Sequence, residues 1–243
     1  GGCRLTQESR PYGFEFAGHH SSDFELVVLA EKTVTMPSKR KSQLQLPYRT
    51  GYIDLSDLYG LNTYDERTVT FPCRLPYGQE NLSLMNQKLT ELMNWLMKPT
   101  GKTLLKDDAM PGYAFMAEVQ TAPTIEEGWN FCKVTVVFQC YAYRLKRCYD
   151  DVWDTFYFSL DAASNIEVDV KGHESILLIN TGQNRVRLTV TCSTAMSASV
   201  NNHVFVLQAG DNTNPYLELM PGENTVNLEG TGHVKFNWTE EWL

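Results

Sequence analysis

Beyond about Asp154 no stretch of the chain carries a helical period. Instead "DTFYFSL", "NIEVDV", "SILLINTG", "RVRLTVTCS", "HVFVLQAG", "YLELMPGENTVNLEG" and "HVKFNWTEEW" follow one another at close spacing, with turn residues between them. Side chains on a strand alternate between the two faces of a sheet, so short apolar-alternating runs separated by turns point to a β-sandwich or barrel. The second half is therefore expected to be all β.

The first half is also strand-rich. "FEFAGHHSSDFELVVLAEKTVTMP" reads as two short strands around a polar turn, with alternation at Phe14 and Phe16 and again at Phe24, Leu26 and Val28. "QLQLPYRTGYIDLS" alternates through Leu44 and Leu46 and breaks at Pro47; "RTVTFPCRL" alternates through Val69, Phe71 and Cys73. "GWNFCKVTVVFQCYAYRLKRC" is the most strand-like segment, and the basic-then-acidic "RLKRCYDDVWD" after it reads as a connector. Two domains are expected, 1–143 and 144–243.

One helix interrupts the strands. In "ENLSLMNQKLTELMNWLMKPTG" the residues Leu82, Met85, Leu89, Leu92, Met93 and Leu96 recur at helical spacing, opposite Asn86, Gln87, Lys88, Glu91 and Asn94. Asn81 is placed to cap it, and Lys98-Pro99 with Gly101 to stop it.

After the helix, "GKTLLKDDAMPGYAFMAEV" sets Asp107 and Asp108 side by side before Pro111-Gly112. Leu104 and Leu105 belong to one short strand, and Tyr113, Phe115, Ala117 and Val119 alternate along the next. Adjacent carboxylates on a strand point to opposite faces, whereas glycosidases set two separated carboxylates on one sugar. Aspartates at a strand end accept hydrogen bonds from nearby backbone amides, so a turn is the expectation, ahead of a metal site or catalysis.

Other chemistry-bearing residues are dispersed. The five histidines (His19, His20, His173, His203, His233) fall in a turn or near the starts of separate expected strands, and no metal site is assigned to them. Asp150, Asp151 and Asp154 lack the glycine and glutamate of a calcium loop. The six cysteines stand singly, with no C-x-x-C, as expected of reduced thiols in a protein made in the cytosol. G-x-S-x-G, Walker and H-E-x-x-H patterns are missing, and Asn81 and Asn237 match the glycosylation pattern without a secretory signal beside them. Neither a catalytic residue nor a cofactor is expected. A net charge of −8 argues against a protein that works by neutralising phosphates. No apolar stretch is long enough for a membrane span.

Three stretches together resemble the distal tail protein family of long-tailed, non-contractile bacteriophages. "LPYRTGYIDLS…TYDERTVTFPCRL" is similar to its N-terminal turn and Arg-led strand, matching at Pro47, Arg49, Gly51, Asp54, Tyr64 and Arg67; Tyr48 stands where the family has Gly. The helix followed by Asp107, Asp108, Pro111, Gly112 and Tyr113 resembles the next family segment. "LELMPGENTVNLEGTGHVKFNW" resembles the C-terminal ending, with its turn at Pro221, Gly222 and Asn224.

The resemblance implies an N-terminal β-sandwich belt domain with one helix, then a C-terminal galectin-like β-sandwich. It implies a structural protein in the virion, at the distal end of the tail and made in the bacterial cytoplasm, that forms a homo-hexameric ring. Its partners would be the tail-tube protein, a tail-associated lysin or fibre hub, and a receptor-binding protein, with DNA only in transit. The rival readings are a carbohydrate-binding adhesin using the aromatics of the second half (Trp153, Phe156, Tyr157, Phe158, Phe205, Tyr216, Phe236, Trp238, Trp242) and a cell-wall hydrolase.

Overall fold

The amphipathic stripe folds as α1 (Leu82–Met97), with Asn81 Oδ1 accepting from Leu84 N at its start. Met85, Leu89, Leu92 and Leu96 are buried as their spacing requires. Trp95, which the stripe omits, is buried too, while Leu82 is exposed and Met93 only half-buried. The computed structural model describes residues 10–48, 50–56, 62–146, 165–201 and 203–243. The expected strand "DTFYFSL", the acidic cluster Asp150, Asp151 and Asp154, Cys3, Cys148, and the aromatics from Trp153 to Phe158 lie outside them.

The chain divides into two compact units, Gly1–Ala142 and Tyr143–Leu243. The first contains β1 (Phe14–Phe16), β2 (His19–His20), β3 (Val27–Val28), β4 (Thr33–Val34), β5 (Gln43–Gln45), β6 (Tyr52–Asp54) and β7 (Arg67–Leu75). After α1 come β8 (Thr103–Asp107), β9 (Tyr113–Glu118), β10 (Thr124–Glu127) and β11 (Cys132–Lys146), whose last residues belong to the second unit. The main sheet runs β2-β1-β8-β9-β11-β7-β3, with β10 beside β11 and β4 beside β7. Phe24 departs from the expected strand: Ser21–Phe24 closes into a 3-10 turn, and its ring stacks on Trp95 at 4.3 Å.

Inward-facing Phe14, Phe16, Phe71 and Phe138 meet α1 in one apolar core. Trp95 lies parallel to Phe14 at 5.9 Å and donates its indole N–H to Phe16 O at 3.0 Å. A buried indole needs such a partner, so this bond fixes the helix on β1 as well as filling space.

The second unit holds β12 (Asn165–Asn180), β13 (Val186–Cys192), β14 (Met196–Val200), β15 (His203–Leu207), β16 (Gly210–Leu219), β17 (Gly222–Asn237) and β18 (Glu241–Trp242). β12 and β17 pair along their whole length, yet β17 pairs on its other side with β14 through Ser197↔Glu229 to Val200↔Val226 and with β13 through Thr189↔Asn237 to Cys192↔Val234. The change of partner happens at glycines: Gly172 faces Gly230, both at positive φ, with Gly232 two residues on. A Cβ on Gly230 would lie 2.6 Å from Met196 Cβ. One long antiparallel pair thus turns a corner that side chains would obstruct. The protein is mainly β with one α-helix among the described residues, in two β-sheet regions.

Candidate functional site

Asp107 and Asp108 do close the expected turn: Asp107 Oδ1 accepts from Ala109 N at 3.0 Å, and Met110 N donates to Asp107 O at 2.9 Å. Their side chains go further. Asp107 is buried and accepts from the Tyr12 hydroxyl at 3.0 Å and from Lys32 Nζ. Asp108 Oδ2 accepts from Gly13 N at 2.9 Å and meets His20 Nε2 at 3.0 Å. Being neighbours on a strand end, the two carboxylates tie down different segments, Asp107 the one from β3 to β4 and Asp108 the β1–β2 hairpin, while both hold residues 12–13.

Their electrostatics follow from this sharing. Burial works against the charge on Lys32, but the Asp107 carboxylate outweighs it and holds the ammonium above its ordinary range. Burial, then Asp107, pushes the Tyr12 phenol up.

Ser22, His20 and Asp108 stand in the order of a nucleophile, base and orienting acid, with Ser22 Oγ 2.7 Å from His20 Nδ1. The local geometry explains that order as a cap. His20 precedes the 3-10 turn, its Nδ1 accepts from Ser22 N at 3.2 Å, and Asp23 returns a bond to His20 N at 3.0 Å. Nδ1 is therefore an acceptor and Nε2 carries the proton given to Asp108. The lone pair a base would use already serves the turn. In the sequence His20 looks like an ordinary turn histidine; its position three residues before Asp23, the spacing of a capping box, is the local signal of its role.

The other motif residues are spread over the chain. Pro47, Tyr48 and Gly51 lie at the tip of the hairpin β5–β6, and Arg49 lies outside the described residues. Tyr48, standing for glycine, still takes the left-handed conformation at φ 61°, as Gly51 does at 94°. Asp54 accepts from Lys41 Nζ at 2.8 Å and Ser56 N at 2.9 Å, which holds its carboxyl well below the usual range. Tyr64 bridges Lys39 at the hairpin's base. Arg67 is buried, its guanidinium 5.7 Å from the Phe115 ring centroid. Gly112 supplies φ 86° between Pro111 and Tyr113, whose N–H closes on Met110 O. Buried Asn224 pins the Pro221-Gly222 turn: its amide donates to Met220 O and Gly222 O and its oxygen accepts from Met220 N. Pro47, Tyr48, Gly51, Gly112 and Asn224 thus shape turns, whereas Arg67 opens β7.

His173 and His233 sit within long strands rather than near strand starts. Asp169 at 2.9 Å, and then Glu167, push the His233 imidazole above its ordinary range. Among the described residues no group of three or more His, Cys, Asp or Glu could hold a metal ion, and no helix is long and apolar enough to cross a membrane. Burial pushes the Cys73 and Cys140 thiols up to about 12, which removes their nucleophilic form near neutrality. Of the aromatics proposed for sugar stacking, Phe236 and Trp238 are buried and Phe205 half-buried; Tyr216 is exposed.

The hairpin β5–β6 differs from everything around it. Among the described residues its strands pair with each other and with no other strand, and none of its side chains belongs to the apolar core. Leu44, Tyr52 and Met36 are exposed, and Tyr48 is fully so. A lone two-stranded ribbon is marginal in water, and this one leaves its apolar side chains uncovered.

No protein-family model matches the sequence, and no curated protein does either. Among solved structures the chain is similar to the SPP1 Dit (gp 19.1) protein, described as a paradigm of the hub adsorption apparatus in phages that infect Gram-positive bacteria. The two share 14% sequence identity at a TM-score of 0.65, over 96% of this chain and 99% of that one. At that identity the likeness establishes a common fold.

Proposed function

We propose that the protein is a structural component of a bacteriophage tail tip, a hub ring at the distal end of the tail, and not an enzyme. The observation that carries this reading is the fold shared with SPP1 Dit over nearly the whole of both chains, both units included. The three family-like turns in the sequence, at Pro47–Gly51, Asp107–Tyr113 and Pro221–Asn224, lie in the same order and all do turn work, which suits a scaffold.

In this reading the first unit is the belt and forms a ring of six, and the second is the galectin-like unit. The ring joins the tail-tube protein to a lysin or fibre hub and to a receptor-binding protein, and DNA passes through without being held, which suits a chain of net charge −8. An exposed arm supports head-to-tail assembly, the contact type that generates rings. The adhesin reading draws less support, because two of its candidate aromatics, Phe236 and Trp238, fill the core of the second unit.

Light scattering on the purified full-length chain is the test. A mass of six times 27.7 kDa, with rings visible by electron microscopy, is expected. A strict monomer at all concentrations, or hydrolysis of host cell wall by the pure protein, would overturn it.

A further inference from the structure

We propose that the outer edge of β15 (His203–Leu207) is a docking edge for an extended, uncharged segment of another protein, which adds to the second unit as one more strand. The proposal stands on the second unit alone and goes beyond the ring reading.

The sheet of this unit runs β15-β14-β17-β13-β16, so β15 and β16 end it. Unpaired backbone groups along such an edge invite other strands, and proteins ordinarily block them with charges, prolines or bulges. β16 is blocked in all three ways. It carries Asp211, Pro215 and Glu218, and its register against β13 shifts between Arg187 and Thr189. β15 has none of these. It pairs with β14 without a break, from Met196↔Leu207 to Val200↔His203, and among the described residues it pairs with no other strand. From Leu188 to Gly210 no Asp, Glu, Lys or Arg occurs, although 21% of the chain is charged.

The edge is also shaped and held. Leu207 is buried and Phe205 half-buried against the core of the second unit, so Val204 and Val206 face the other way, 74% and 77% exposed. On β14 they stand beside Ser199 and Ser197. At one end Asn201, at φ 49°, donates its amide to Glu218 O at 3.1 Å. At the other, Asn212 accepts from Gln208 N at 2.8 Å and donates to Gln208 O at 2.8 Å and Val190 O at 3.2 Å. An edge fixed at both ends loses little conformational freedom on gaining a strand.

Charge and area together choose the occupant. An uncharged edge offers no counter-ion and makes burial of a charge costly, so the complementary segment is neutral, with apolar side chains beside Val204 and Val206. The five residues of β15 make an edge about 17 Å long and about 10 Å deep, on the order of 200 Å². A stable pair of chains needs about 800 Å² from each. Two copies of this chain, each of net charge −8, therefore do not hold together through this edge alone. A partner's segment added as a strand gains main-chain hydrogen bonds while the rest of that partner is held elsewhere.

The test is hydrogen exchange, read by mass spectrometry, on the full-length chain with an uncharged probe, an end-blocked heptapeptide of alternating Thr and Val at millimolar concentration. Slower exchange confined to His203–Leu207 is expected, to the same degree at low and high salt. Val204→Lys with Val206→Lys, both at exposed positions and with circular dichroism matching the wild type, should weaken binding about tenfold, as should a proline at the centre of the peptide. Tyr216→Lys on β16 should leave it unchanged. No protection of β15, equal protection by the proline peptide, or protection at β16 instead would overturn the inference. So would a wild-type mass that falls in the double-lysine variant, because a second copy would then be the occupant. A chain that is monomeric yet gains protection at β15 removes the ring and leaves this inference standing.

Discussion

Lys146 Nζ lies 3.2 Å from Glu240 Oε2 with both side chains 1% exposed, a buried ion pair between the end of β11 and the C-terminal tail. Glu240 also accepts from Thr181 N at 3.0 Å and from the Thr181 hydroxyl at 2.5 Å, and Lys146 N donates to Glu240 O. Arg144 and Leu145 pair with Trp242 and Glu241 alongside. "RLKRC" reads as the start of a connector, yet the strand continues through Lys146 because its charge has a partner 94 residues on.

Removing one member of such a pair strands the other. Glu240→Gln keeps the shape and is expected to cost about 3–5 kcal/mol, with the double variant Lys146→Met/Glu240→Gln costing less than the sum of the single changes. Burial alone would raise the Glu240 carboxyl, but the Thr181 donors and Lys146 together hold it below its ordinary range. Its stabilisation is therefore present above the ordinary glutamate value and lost as the pH falls through the depressed one. Denaturant melts across that acid range should show the loss in the wild type and not in Glu240→Gln.

For the aspartate pair, the two positions should differ. The Asp107 side chain is 2% exposed and neutralises Lys32, whereas that of Asp108 is 43% exposed. Asp107→Ala is expected to cost about 2–4 kcal/mol and Asp108→Ala about 1 kcal/mol. A turn role alone, worth roughly 0.5–2 kcal/mol, would leave them similar. Equal losses in chemical denaturation would refute the tie to Lys32.

Legibility followed the range of the interactions. Alternation and helical spacing are local, so α1, the Phe14–Phe16 strand and β7 could be read directly. Trp95 escaped because its burial depends on Phe24 and on Phe16 O, 79 residues away. The bond from His20 to Asp108 is hidden for the same reason, the two lying 88 residues apart, although the local cap with Asp23 is not. The Leu44 alternation was legible as a strand, but nothing local says that both faces of that strand stay uncovered.

Helix facing gives a third expectation. Leu89 is buried against the core, while Glu91 is exposed beside Lys88 and Gln87. Leu89→Ala should leave a cavity costing about 2–5 kcal/mol, and Glu91→Ala should stay within about 0.5 kcal/mol. Calorimetry on both variants decides it, and a harmless Leu89→Ala would mean that the helix does not cover the sheet.

The corner of the long β12–β17 pair supplies the last prediction. Gly172 and Gly230 face each other across β12 and β17, and both need glycine, for different reasons. At Gly172 there is open space around a Cβ, so the penalty of Gly172→Ala is the strain of φ 91° alone, about 1–2 kcal/mol. At Gly230 the strained φ of 150° is joined by the clash with Met196 Cβ, on a strand that must stay paired to β17 through Ala198↔Leu228. Gly230→Ala should therefore cost more than Gly172→Ala, about 3 kcal/mol or above, by summing strain and overpacking. Met196→Ala leaves the clash in place, because the obstructing atom is the Cβ, whereas Met196→Gly removes it. In denaturant melts, Met196→Gly should recover part of the loss in a Gly230→Ala background. No recovery would mean that backbone strain, and not the approach of β14, is what requires glycine at the corner.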